Sequence, residues 1–277
     1  MAAGRPASEA FVVVPSRGRE IAVVVEAPHA GLGLDGESLA TLIAPARSIA
    51  RDADLYVDRL IELVPDTGAV SLISKMSRYY LDLNRGEDEH DGVAVYGSRG
   101  RDAPHGLVWH RTTDGERCLS GAISRDELER RLKLVYRPYH EQLRRMLLDR
   151  VAVFGHVVLL CAHSMPSNGR SVSGAEEPRA DIVPGTRGQT TASRRLIQAV
   201  EQVTHGAGFT FKHDDPYRGG FSTMHYGNPR GSMHAIQIEV ARRLYMNEST
   251  LQMIPEGVAR MQAYFRDLVI ALGSTAP

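Results

Sequence analysis

The sequence has only two cysteines in 277 residues, Cys118 and Cys161, and they form neither a disulfide framework nor a C-x-x-C metal knuckle. That sparing use is expected of a chain kept in a reducing compartment. Neither sign of charge is in excess, since Lys+Arg and Asp+Glu both number 33. The balance removes the broad positive field with which proteins gather nucleic acid or an anionic membrane surface, so any charge selectivity has to be local. No apolar stretch approaches a membrane span, and the opening MAAGRPASEAFVVVPSRGRE lacks the apolar centre of a secretory signal. A cytoplasmic protein is expected. The H-E-x-x-H zinc motif, internal repeats and low-complexity tracts are also missing.

The composition, 43% hydrophobic and 24% charged, is that of an ordinary globular protein with a substantial core. The length fits one large α/β domain or two small ones, and no linker divides it convincingly, so a single domain over residues 1–277 is expected. Short β-branched runs alternate with longer helical patterns, which favours α/β. Residues 21–27 (IAVVVEA), 69–74 and 151–161 are almost continuously apolar, as strands buried on both faces are. Residues 235–240 (AIQIEV) alternate and are expected nearer a sheet edge or beside a site.

Ser124 and Glu127 have the S-x-x-E spacing of a capping box, so a helix is expected to start there and run through ELERRLKLVYRPYHEQLRRMLLDR. Pro138 lies inside it and predicts a kink or break. Helices are also expected over residues 54–64, 191–205 and 250–272. Residues 84–117 are rich in Gly, Asp and Arg with weak periodicity, and read as a long surface excursion of the kind that often carries function.

Chemistry is expected beyond the carboxyl ends of the buried strands, where ligands bind in open α/β sheets. Pro28-His29-Ala30-Gly31 follows IAVVVEA, His163-Ser164-Met165-Pro166 follows VAVFGHVVLLCA, and Glu239 lies within AIQIEV. Two histidines and a carboxylate delivered by separate strands are the material of a catalytic zinc site, with three protein ligands and an open position. A chain with 11 histidines also places one or two near strand ends by chance, hydrogen-bonded to backbone in the core.

PHAG at His29, SRYYLDLNR at Ser77, CAHSMPS at Cys161, DIVPGTRGQTT at Asp181 and DDPYRGGFSTMHYGNP followed by HAIQIEVARRLYMNE occur in one order along most of the chain. This series resembles the motifs of the N-formylglutamate amidohydrolase family, related to the zinc carboxypeptidases. The resemblance implies a phosphorylase/hydrolase-like α/β fold, a mixed central sheet flanked by helices. It implies His29 and His163 as metal ligands, Glu239 as the carboxylate that works on the attacking water, and Asn84-Arg85 as the pair that holds a substrate carboxylate. One position departs from the carboxypeptidase pattern. Three residues after His29 stands Leu32, which cannot bind zinc, so the third ligand must come from elsewhere. Asp54, in DADLYVD, is the choice, with Asp52 and Asp58 as rivals and a helix N-cap as the alternative role of each.

The activity implied is zinc-dependent hydrolysis of the amide of a small N-acyl acidic amino acid, N-formyl-L-glutamate going to formate and L-glutamate. Arg78 is assigned to the tetrahedral oxyanion, its alternative being a surface salt bridge. A dicarboxylate needs two cationic anchors, and the planar guanidinium fork suits it. Arg85 supplies one; Arg187 in PGTRGQ and Arg218 in DPYRGG are the candidates for the other. His225 and His234 are candidates for ligand or proton contacts, or donors to backbone. Tyr217 and Tyr226 line a pocket or fill the core, and Met165 and Met224 are expected to pack. Two other readings stay open: the same chemistry on another N-acyl or N-formyl amino acid or amide, and a non-catalytic binder of acidic metabolites.

Overall fold

The nearly continuous apolar runs become the interior of a sheet in the structure, a computed structural model that describes residues 10–170 and 176–277. Its strands are β1 (Phe11–Val14), β2 (Val23–Ala27), β3 (Val70–Ser74), β4 (Val157–Met165), β5 (Asn168–Arg170), β6 (Glu176–Pro178), β7 (Ile182–Gly185), β8 (Met233–Ala241), β9 (Met246–Asn247) and β10 (Gln252–Met253). Six form one sheet in the order β1-β3-β2-β4-β8-β7, while β5 with β6 and β9 with β10 form two ribbons. β2, β4 and β8 run parallel, and β7 runs antiparallel to β8. The sheet is therefore mixed. All of β2 and β4 is buried, which is why their sequences show no alternation.

Among the described residues the α-helices are α1 (Gly36–Thr41), α2 (Ala46–Asp52), α3 (Val57–Leu60), α4 (Arg125–Arg131), α5 (Arg137–Phe154), α6 (Arg194–Gly206), α7 (Phe221–Tyr226) and α8 (Pro255–Ser274). None is long and apolar enough to cross a membrane. Backbone contacts divide the chain into two compact units. The first holds residues 10–13, Pro28–Leu55 and Leu72–Arg145; the second holds Val14–Ala27, Tyr56–Ser71 and the chain from Met146 onward. β1 and β3 each carry the chain from one unit to the other. The second unit contains β2, β4, β8 and β7, with α8 packed on α6 and reaching β2.

Several boundaries differ from those read in the sequence. The strand expected over 151–161 starts at Val157, because α5 continues to Phe154 and Gly155 then adopts a left-handed φ of 76°. Val153, 66% exposed, rides the helix surface. At the start of α4 the Ser124 hydroxyl accepts from the Glu127 amide at 3.0 Å, but the Glu127 carboxylate turns to Arg130 and Arg131. Half of the expected capping box is therefore formed.

The helix does not break at Pro138. Leu132–Tyr136 forms a π-helical turn in which the Arg137 amide donates to the Leu132 carbonyl, five residues back. The widened turn comes just before the proline, whose ring and missing N–H an ordinary turn does not accommodate. The helix expected over 54–64 is reduced to α3. α8 starts at Pro255 rather than 250, with the proline in the first turn, where its missing N–H costs nothing. β8 lies inside the sheet between β4 and β7, so its alternation does not mark an edge. Gln237 and Glu239, polar yet buried, share one of its faces.

Candidate metal centre and substrate site

In the first unit, His29 follows β2 by two residues. Gly31 in the same turn packs so closely that a Cβ there would lie 2.2 Å from the Lys75 carbonyl carbon. The Asp54 amide donates to the His29 carbonyl at 3.0 Å and lays the link after α2 beside the turn. The two side chains, both buried, then face one another with His29 Nδ1 3.6 Å from Asp54 Oδ2. On its other edge, His29 Nε2 lies 2.7 Å from Asp82 Oδ1.

Asp82 is fully buried and accepts from several donors. Arg78 donates to Oδ2 through Nη2 at 2.8 Å and Nε at 3.2 Å, Trp109 donates to Oδ2 through Nε1 at 3.0 Å, and the Asn84 amide donates to Oδ1 at 2.9 Å. Burial by itself pushes a carboxyl pKa up, but the His29 and Arg78 charges and the His29 hydrogen bond outweigh it and hold Asp82 well below the usual range. In a neutral ring that donates from Nε2 to an ionised Asp82, the lone pair lies on Nδ1, toward Asp54.

Arg78 is not a surface salt bridge. Its guanidinium lies 4.3 Å above the Trp109 ring, and Nη1 donates to the Asp52 carbonyl at 3.2 Å. The rivals of Asp54 have other occupations. Asp52 accepts from the Tyr79 hydroxyl at 2.6 Å and from both the amide and hydroxyl of Thr113, and Asp58 is a half-buried partner of Arg59. Asp54 caps no helix, since Tyr56 occupies the cap position of α3. Asn84 is buried, while Arg85 donates from Nε to the His105 carbonyl at 2.8 Å and from Nη1 to the Asn84 carbonyl at 2.9 Å.

In the second unit, β4 and β8 carry further candidate residues. His163 and Glu239 are register partners on these parallel strands, so their side chains leave the same face of the sheet. Both are buried, and Glu239 Oε1 accepts from Gln237 Nε2 at 2.8 Å. The two arginine segments in this unit are tied together. The Asp214 carboxylate accepts from the amides of Thr186, Arg187 and Gly188 at 2.7, 3.1 and 2.5 Å, and Arg187 Nη1 donates to the Gly219 carbonyl at 3.0 Å. A Cβ on Gly185 would lie 2.6 Å from the Gly219 amide, so this glycine serves the packing of one segment on the other.

Arg218 and His225 are exposed. The His225 ring stacks on Phe221 at 4.8 Å. His234 is buried, and its Nδ1 accepts from the Ser193 amide at 3.2 Å, a structural role. Tyr217 lies under the Arg179 guanidinium, and Met165 and Tyr226 are buried as core residues are. Met224, expected to pack, is 51% exposed, because the short α7 turns it away from the buried Ser222, Thr223 and Tyr226.

Asp82, Gln237 and Asp214 were not picked out in the sequence. Asp82 had a signal available, since it stands two residues before Asn84 in the same conspicuous DLNR. Another acid–histidine group in the first unit, Asp91, Asp102 and His110, is occupied by structure, because Asp91 accepts from the amides of Val93, Ala94 and Ala103 as well as from His110.

Known proteins are similar to this chain in sequence and fold. A sequence model of the N-formylglutamate amidohydrolase family matches residues 21–246. The N-formylglutamate deformylase of Pseudomonas putida is 30% identical over 254 residues, which span 90% of this chain and 91% of the relative. A protein of the same name from Pseudomonas aeruginosa is 31% identical over 235 residues, 84% of each chain. The crystal structure of an N-formylglutamate amidohydrolase from Ralstonia eutropha superposes with a TM-score of 0.86 at 28% identity, covering 96% of this chain and 97% of the other. An Agrobacterium tumefaciens protein, 19% identical with a TM-score of 0.72, shares the fold.

Proposed function

This chain belongs to the N-formylglutamate amidohydrolase family, and from that premise we propose that it hydrolyses N-formyl-L-glutamate to formate and L-glutamate with one zinc ion held by His29, Asp54 and His163. All three are buried and of residue types that zinc accepts. The observation that carries the reading is the pair His29 Nδ1 and Asp54 Oδ2, 3.6 Å apart, with Nε2 of the same ring given to Asp82. A hydrogen bond would bring these atoms to about 3 Å. Two ligands each ~2.1 Å from a tetrahedral ion stand roughly 3.4 Å apart, which fits. When bound, zinc supplies a Lewis acid that polarises the formyl carbonyl and lowers the pKa of water to about 7.

The chain's own residues do the rest. Glu239 takes a proton from the attacking water as the oxygen joins the formyl carbon, and gives it to the nitrogen as the C–N bond breaks, because an unprotonated amine is a poor leaving group. Arg78 uses three of its five N–H groups on Asp82 and Asp52, which leaves two for the developing oxyanion. Asn84 and Arg85 take the α-carboxylate, and Arg187 or Arg218 takes the side-chain carboxylate. His225, exposed on α7, is a further substrate contact. The two buried free thiols fit action in the cytoplasm.

N-formyl-L-glutamine tests the second anchor, because it has nearly the same shape without the second negative charge. An unpaired guanidinium desolvated by bound substrate costs about 2–5 kcal/mol, and less where it stays exposed as Arg218 is here. The acid is therefore expected to exceed the amide at least tenfold in kcat/KM for formate release, and alanine at the anchoring arginine to shrink that ratio. Equal specificity constants would overturn the dicarboxylate reading, and a preference for N-acetyl or N-succinyl substrates would replace it.

A further inference from the structure

We propose that Gln237 is a positioning residue for Glu239 and that it ties the carboxylate to the segment bearing Arg218. The inference rests on the reading of Glu239 as the general base. Gln237 and Glu239 stand two residues apart on β8 and so share a face. The Gln237 carbonyl oxygen accepts from the Gly220 amide at 2.9 Å. That bond fixes which way the amide points, since an NH2 group cannot face an N–H donor. The NH2 is thereby turned onto Glu239 Oε1 at 2.8 Å.

Both side chains are buried, so the contact is little weakened by water. The anchor is itself held. Gly219, at φ 99°, packs with its would-be Cβ 2.9 Å from Thr223 Cγ2, and the Gly219 amide lies against Gly185. The backbone next to Gly220 is thereby closely packed, which steadies the amide that orients Gln237. Arg218 belongs to the same short segment, so the proposed substrate anchor and the base share one support.

The test is a double-mutant cycle. Gln237→Leu and Gln237→Met are made in the wild type and in Glu239→Gln, with kcat and KM for N-formyl-L-glutamate, metal content and near-UV circular dichroism recorded for each. Enzyme in excess is used where turnover is slow. Both single variants are expected to lose about tenfold or more in kcat, the effect of losing a hydrogen bond to a charged group, with KM and metal content close to wild type. In the Glu239→Gln background the same substitutions should add almost nothing. An equal loss in both backgrounds would make Gln237 a packing residue, and unchanged kcat in the single variants would remove the proposal while leaving Glu239 in place. Full turnover by Glu239→Gln alone would instead overturn the base.

Discussion

Asp82 shows how one carboxylate can organise a site without touching the reacting atoms. It holds the His29 ring through Nε2, and Arg78 and Trp109 hold Asp82 in turn. In Asp82→Asn the carboxylate facing His29 Nε2 is lost, and Arg78 loses the charge it is hydrogen-bonded to, though Asp54 and Asp52 remain nearby. Zinc affinity, measured by chelator competition, is expected to fall about 10–100-fold, the usual effect of removing a partner of a ligating histidine. Unchanged affinity would mean that Asp82 only packs. His29, His163 and Glu239 stood out in the sequence because each is polar at the end of, or inside, an apolar strand. Asp82 did not, since its partner is 53 residues away and no periodicity links them. The sequence leaves Asp52 and Asp58 as rivals of Asp54, and the other occupation of Asp52 depends on Tyr79 and Thr113, which sequence spacing does not bring together.

Elements were legible where a local signal set them and obscure where two signals competed. The Ser124 cap marks the start of α4. Residues 151–154 look like strand and belong to α5, because a β-branched run reads alike in a buried strand and in a helix end whose outer face is exposed. The segment 84–117 is, as expected, free of regular helix or strand, yet much of it is buried, and the Asp91 carboxylate organises it. Burial pushes the Asp91 pKa up, but the Ala103 and Ala94 amides and His110 outweigh this and lower it. A depressed folded pKa gives stability that is present above the unfolded value of about 4 and is lost as pH falls through the folded value. Asp91→Asn should therefore be about 1–3 kcal/mol less stable than wild type near pH 6, with the gap closing as pH drops below about 4. Urea unfolding across that range measures it, and a gap that stays constant would contradict the assignment.

At the scale of the whole chain, the absence of net charge agrees with a site whose selectivity depends on a few arginines rather than on a general field. Family membership follows from motifs spread over residues 21–246, a span that takes in every proposed site residue. One zinc held by His29, Asp54 and His163 is the central claim. Zinc per chain, measured by elemental analysis in the wild type, His29→Ala and His163→Ala after dialysis against a weak chelator, tests it most directly. The account predicts about one zinc per chain in the wild type, as three ligands to one ion require, and loss of most of it in each variant. Full zinc in His163→Ala, or none in the wild type after loading, would contradict it.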